Sequence, residues 1–143
     1  VVQDALTAYR AGGVHAMHDA TEGGVLGGVW EMQHAARLPV ELDLDAVPVP
    51  PDIAAIAREL GFDPWAVISE GTLLAAVDPA SLGRVQRALS RAGIPSFVLG
   101  RFDRTLRRSR VRRAGRVAIL SAPTVDPFWD LFFASQPSSQ SAS

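Results

Sequence analysis

Between Gly13 and Gly24 the chain reads Gly-Val-His-Ala-Met-His-Asp-Ala-Thr-Glu-Gly-Gly. Its polar half carries the chemistry. His18 has an imidazole that donates to an anion or moves a proton near neutral pH. Asp19 and Thr21 are residue types that cap a helix, or that orient a ligand hydroxyl or a magnesium-bound water. Gly23 and Gly24 leave bare the place where a following helix opens, where unpaired N–H groups and the positive end of the dipole attract anions. With Glu22 between them, these residues suit a phosphate-bearing ligand. The same pattern also describes a tight turn with Asp19 or Thr21 as a simple cap. It is neither a Walker A loop nor a dinucleotide fingerprint, since G-x-x-x-x-G-K and G-x-G-x-x-G are absent from the segment.

Other candidates are more isolated. Glu70, in Ser69-Glu70-Gly71, is a general base, a magnesium ligand or an ordinary loop carboxylate. His15 and His18 lie three apart on a strand entry, so they face opposite sides and do not chelate as a pair. His34 reads as a surface or packing residue. Eight of the 14 arginines fall between Arg101 and Arg116. Alternation puts Arg108, Arg110 and Arg112 on one strand face, opposite Ser109 and Val111, as a solvated face or an anion-binding one. No interleaved aromatics favour single-stranded nucleic acid.

The elements that must position these residues follow from periodicity and punctuation. A helix is expected over 2–11, stopped by Gly12-Gly13, and then a buried strand at 14–17. Val25, Val29, Met32 and Ala36 predict a helix over 24–37 with one core stripe, ended by Pro39. Val40, Leu42 and Leu44 alternate with acids as in a half-exposed strand. Pro51 opens a helix bearing Ile53, Ile56, Ala57 and Leu60, closed by Gly61. A buried strand at 72–77, a helix at 80–92 stopped by Gly93, and strands at 96–102, 105–113 and 116–120 complete the pattern. Asp126-Pro127 begins a last helix through Phe133, and the Ser/Gln-rich 135–143 reads as a disordered tail after a domain at 1–134. The fold class expected is α/β (α+β), a mixed β-sheet flanked by helices.

A length of 143 residues allows a substantial core, and a net charge of −1 excludes a general polyanion binder. Cysteine is absent, so disulfides, thiolate zinc sites and cysteine nucleophiles are excluded, and a cytoplasmic setting is expected. No apolar run reaches the roughly 18–20 residues of a membrane span. The first residue is Val1, which fits a piece of a longer chain.

The ordered set of segments resembles the aminoimidazole ribonucleotide (AIR) synthetase superfamily in its C-terminal domain. His18-Asp19-Ala20-Thr21-Glu22-Gly23-Gly24 looks like that superfamily's H-D-x-T-x-G-G loop. Val40-Glu41-Leu42-Asp43, Val47-Pro48-Val49, Leu60-Gly61-Phe62-Asp63-Pro64, the run from Ser69 to Val77 and Leu99-Gly100-Arg101 resemble later pieces in the same order. The resemblance covers roughly residues 3–133 and implies a partly ferredoxin-like topology. It also implies an intact enzyme that uses ATP and magnesium, with the ATP-binding carboxylates in an N-terminal domain that forms most of a homodimer. The cleft-closing, phosphate- and substrate-facing wall would then fall to Asp19, Thr21, Glu22, Gly23 and Gly24, with His18, Asp19 and Glu70 as catalytic candidates. No cofactor is expected to stay bound to this part alone, which should be inactive.

The wording is nearest the hydrogenase-maturation carbamoyl dehydratase branch, which acts with a maturation partner. There the loop usually reads H-D-P-T-R-G-G; here Ala20 and Glu22 stand at the proline and arginine positions. That branch carries its substrate on a terminal cysteine, so a cysteine-free chain ending Ser141-Ala142-Ser143 is not expected to react by that route. The rival reading is a stand-alone, non-catalytic module that senses an anion or binds a partner through its arginine face. Membrane and nucleic-acid partners are not expected.

Overall fold

The computed structural model describes residues 1–134; the tail expected at 135–143 lies outside the described residues. Helix α1 (Val2–Ala11) leads through Gly12 and Gly13, both at positive φ, into strand β1 (Val14–Asp19). Helix α2 (Gly24–Ala36) follows, then β2 (Val40–Asp43), a 3₁₀ turn at Leu44–Ala46, α3 (Pro51–Leu60), β3 (Leu73–Val77) and α4 (Leu82–Arg91). Short strands β4 (Gly100–Phe102), β5 (Arg110–Arg113) and β6 (Arg116–Ile119) precede α5 (Pro127–Ala134).

The strands form two sheets. β1 and β3 make an antiparallel pair, while the other four run in the order β4-β2-β5-β6, mixed because β2 and β5 are parallel. This is the mixed α/β architecture expected, with the strands divided between two sheets. A two-stranded ribbon is marginal by itself in water, and it is held by what packs on it. Ala8 of α1 and Val85 and Leu89 of α4 form one buried cluster with Val14 and Val77 of the ribbon. Val25 of α2 joins Ala20, Leu44 and Trp65 in a second, and Val29 joins Val40 and Leu42 in a third. Leu26, Leu74, Leu99 and Val111 touch both of these latter clusters, so α2 is clamped between ribbon and sheet.

Several expectations need correction. β1 is not a buried strand: His15, Ala16 and Met17 are exposed, and the ladder runs on through Asp19. Ala75 of β3 is exposed as well. α3 forms where predicted, but of its apolar residues only Ala57 is buried; Ile53, Ile56 and Leu60 face out. In α2, Val25 and Val29 are buried while Ala36 is exposed. The long strand expected at 105–113 shrinks to Arg110–Arg113 because Asp103 turns the chain. Its carboxylate accepts from the Thr105 N–H (2.9 Å) and hydroxyl (2.6 Å), which holds it below the usual carboxylate range.

The arginine face is a cross-strand ion ladder. Arg110 reaches Glu41 at 2.6 Å and Arg101 reaches the same carboxylate at 3.1 Å, in register across β2. Arg112 lies 3.9 Å from Asp43, and Arg113 pairs with Asp63. On the opposite side Ser109 is buried, accepting from the Val40 N–H and donating to Gln33. For Arg110 and Arg112 this supports the solvated-face reading over an anion-binding one, whereas Arg108, expected on the same strand face, lies outside β5.

Candidate functional site

β1 delivers His18 and Asp19 to the end of the ribbon, and the turn at 20–23 carries the chain into α2. The side of this turn is a second loop. The Ala20 N–H donates to the Thr72 carbonyl at 2.9 Å, and the Ser69 N–H to the Thr21 carbonyl at 3.4 Å. Asp19 is paired with Leu73 in the ladder. Loop 69–72 is thereby laid against loop 19–24. Asp19, Thr21, Glu22 and Glu70, 51 residues apart at the extremes, collect at one end of the two-stranded sheet. Asp19, Glu22 and Glu70 are exposed there and Thr21 is half-buried. Ser69 and Thr72, whose hydroxyls sit 3.2 Å apart, add two further polar groups that the sequence did not single out.

The glycine turn behaves differently from a bare phosphate cradle. The helix cap is Gly23 in the left-handed region (φ 75°), and neither Asp19 nor Thr21 caps it through its side chain. Three of the opening amides are already engaged. Gly24 N–H donates to the Thr21 carbonyl and Leu26 N–H to the Trp65 carbonyl, each at 3.0 Å. Gly23 N–H donates to Oδ2 of Asp126 at 2.7 Å. Gly24, at φ 60°, is a glycine for a packing reason too: a Cβ there would collide with the backbone carbonyls of Trp65 and Val67. Ala20 is 1% exposed, and the bond it makes to Thr72 is one a proline has no N–H to make.

His18 is tied down at both nitrogens. Nε2 lies 2.7 Å from a Glu31 carboxylate oxygen on α2, and Nδ1 lies 2.6 Å from the Asp19 carbonyl. Both partners are acceptors, so the arrangement fits the doubly protonated ring. Partial burial pulls the imidazole down, but the Glu31 hydrogen bond, the Asp19 carbonyl and the two nearby charges together raise it above its ordinary value. His15 stays exposed on the strand, and His34 stacks on Trp30 with ring centroids 5.1 Å apart. No group of three His, Cys, Asp or Glu side chains among the described residues is arranged to hold a metal ion.

This architecture has known counterparts. Residues 1–109 match the family described as AIR synthase related protein, C-terminal domain. The chain belongs to that family. Carbamoyl dehydratase HypE of Rhizobium leguminosarum bv. viciae is 37% identical over 81 residues, 55% of this chain and 23% of that protein. HypE of Escherichia coli strain K12 is 32% identical over 120 residues, 80% of this chain and 35% of that protein. The crystal structure of E. coli HypE has a TM-score of 0.76 at 28% identity, covering 87% of this chain and 40% of that one. The structure of hydrogenase maturation protein HypE in complex with ATP shares the fold with a TM-score of 0.72, at 20% identity over 82% of this chain and 38% of that one. The chain thus spans about a quarter to two-fifths of the length of the relatives it matches. Among AIR synthase related domains it stands near the hydrogenase-maturation branch. Among the described residues no helix is long and apolar enough to cross a membrane.

Proposed function

We propose that this chain is the cleft-closing, phosphate- and substrate-facing domain of an ATP-dependent AIR synthase related enzyme, completed by an N-terminal ATP-binding domain of the same protein. The observation that carries the reading is the union of loops 19–24 and 69–72 at one end of the β1–β3 ribbon. It concentrates Asp19, Thr21, Glu22 and Glu70 on a single rim within a family whose HypE members include one solved with ATP.

In this reading most of the rim binds and orients the ligand, and one carboxylate serves as its general base. Thr21 and Asp19 address the hydroxyl or phosphate side of the ligand, and Glu70, exposed on the second loop, is the general-base candidate. His18 braces β1 on α2 through Glu31 and has little freedom to transfer a proton. Magnesium, when bound in the intact protein, neutralises phosphate charge. Asp19, Glu22 and Glu70 suit its oxygen chemistry as single ligands, but the described residues do not form a full set. Exposed apolar residues on α1, α3 and α5 (Val2, Leu6, Ile53, Ile56, Trp129) support a further domain, a second copy or a maturation partner in contact with this one.

ATP turnover tests the assignment. The intact protein should hydrolyse or transfer from ATP, the 143-residue chain should not, and Asp19→Ala or Glu70→Gln in the intact protein should lower turnover about 10²-fold or more. Appreciable ATP turnover by the isolated chain, or full activity of both variants, is incompatible with this assignment. Glu22→Arg, which restores the charge usual in the hydrogenase-maturation branch, should tighten phosphate binding.

A further inference from the structure

The glycine turn is occupied from within the molecule. Asp126 lies 103 residues from Gly23 in sequence, yet is only 5% exposed. Its two oxygens divide the work: Oδ2 accepts the Gly23 N–H at 2.7 Å, and Oδ1 accepts the Phe128 N–H at 2.9 Å, which starts α5. The segment that carries this carboxylate is otherwise lightly held. Residues 121–125 are all exposed. Pro123 rests over Gly23 and Gly27, where side chains would meet it. Beside it is a cavity of about 200 Å³, lined by Leu26, Gly27, Ala66, Val111 and Leu120. Beyond the carboxylate, α5 turns Trp129 and Phe133 to solvent. A buried carboxylate thus fastens a segment that buries little apolar surface.

We propose that residues 121–128 form a removable strap over the glycine turn, with Asp126 as its latch. Latched, the strap fills the Gly23 amide with the chain's own carboxylate. Released, it opens the amide and the cavity to the cleft. A carboxylate and a phosphate oxygen are equivalent acceptors for an amide at a helix start, so the two compete for one position. The competition rests on the reading of this turn as the phosphate-facing wall; the strap itself does not.

The test uses the 143-residue chain, its Asp126→Asn and Asp126→Ala variants, and inorganic phosphate as probe. Asparagine has one acceptor oxygen in place of two and presents an NH₂ to the other amide, so it keeps at most one of the two bonds. Alanine keeps neither. Loss of a charge-assisted bond should raise hydrogen exchange at the Gly23 amide about tenfold, and chymotryptic cleavage after Phe128 or Trp129 by a similar factor. The amides of Val40 and Leu42 should not change. Unaltered Gly23 exchange in both variants overturns the latch, and so does faster exchange with unaltered cleavage, since the strap would then stay in place. If Asp126→Ala loses protection at Val40 and Leu42 as well, Asp126→Asn decides by the same two readouts. In a phosphate titration the Gly23 amide resonance should respond at about tenfold lower concentration in the variant. An equal response in variant and parent overturns the competition. No response in either, with exchange and cleavage both raised, supports the strap and removes the phosphate reading of the turn.

Discussion

At the scale of single residues, two positions of the candidate site, His18 and Gly24, have structural duties that can be measured. His18 is raised above its ordinary value of 6.5 by Glu31 and the Asp19 carbonyl. The folded chain therefore binds a proton more tightly than the unfolded one. The stability this contributes is complete below about pH 6.5 and is lost as pH rises through the folded value. Urea midpoints measured across that window should fall with rising pH in the parent chain and stay flatter in Glu31→Gln. A parent profile as flat as the variant's would mean that the pair does not couple to folding. Gly24 gives a sharper case. Its φ of 60° and the carbonyls of Trp65 and Val67 over its missing Cβ predict that Gly24→Ala loses about 2–4 kcal/mol, from left-handed strain plus overpacking. Equilibrium urea unfolding checks it, and a loss below about 1 kcal/mol would show that the 65–67 backbone yields. Asp126 was legible only as the start of its own helix. Nothing in local spacing ties a carboxylate to an amide 103 residues away, and the turn's second role depends on that tie.

At the scale of elements, helices were more legible than strands, for identifiable reasons. α1, α3 and α4 carry their stops in sequence, as glycines after Ala11, Leu60 and Ala92, and Pro51 fixes the start of α3. Strand lengths depend on partners that composition does not reveal. Of 96–102 only Gly100–Phe102 pairs with β2, although the Leu99 carbonyl still accepts the Asp43 N–H at 2.8 Å. Burial of β1 was misjudged because an apolar run looks the same whether its faces are covered or open. The rim of the candidate site was legible one loop at a time, whereas its assembly needed the antiparallel β1–β3 register. Part of the charge alternation, by contrast, does map onto a ladder: Glu41 and Asp43 face Arg110 and Arg112, while Arg108 falls outside β5. Glu41 bridges Arg110 and Arg101, all partly exposed, so Glu41→Gln should cost only about 0.2–1 kcal/mol. Urea unfolding at low and high salt checks this: the cost should shrink at high salt, and an undiminished cost would point to the hydrogen bonds rather than the charges.

At the scale of the whole molecule, the distribution of apolar surface matters more than its amount. Ile53, Ile56 and Leu60 recur at three- and four-residue steps, which align them on one flank of α3, each at least 40% exposed. Val2, Leu6 and Tyr9 do the same on α1, also exposed. Such stripes ordinarily face a core, and sequence periodicity reads them that way. Here they face outward, on a chain that spans a quarter to two-fifths of its relatives' length, and under the proposed function these flanks are where a further domain or a second copy packs. The consequence is a separation of stability from association. Ile56→Asp should change unfolding free energy by no more than about 0.5 kcal/mol, as for a surface position. In the 143-residue chain, sedimentation equilibrium should show concentration-dependent self-association that this substitution weakens. In the intact protein it should loosen the contact with the remaining domain and lower the thermal midpoint. A loss of several kcal/mol in the isolated chain would put Ile56 in a core after all. An unchanged midpoint in the intact protein would mean that α3 faces water there too, and that the covering surface lies against α1 or α5.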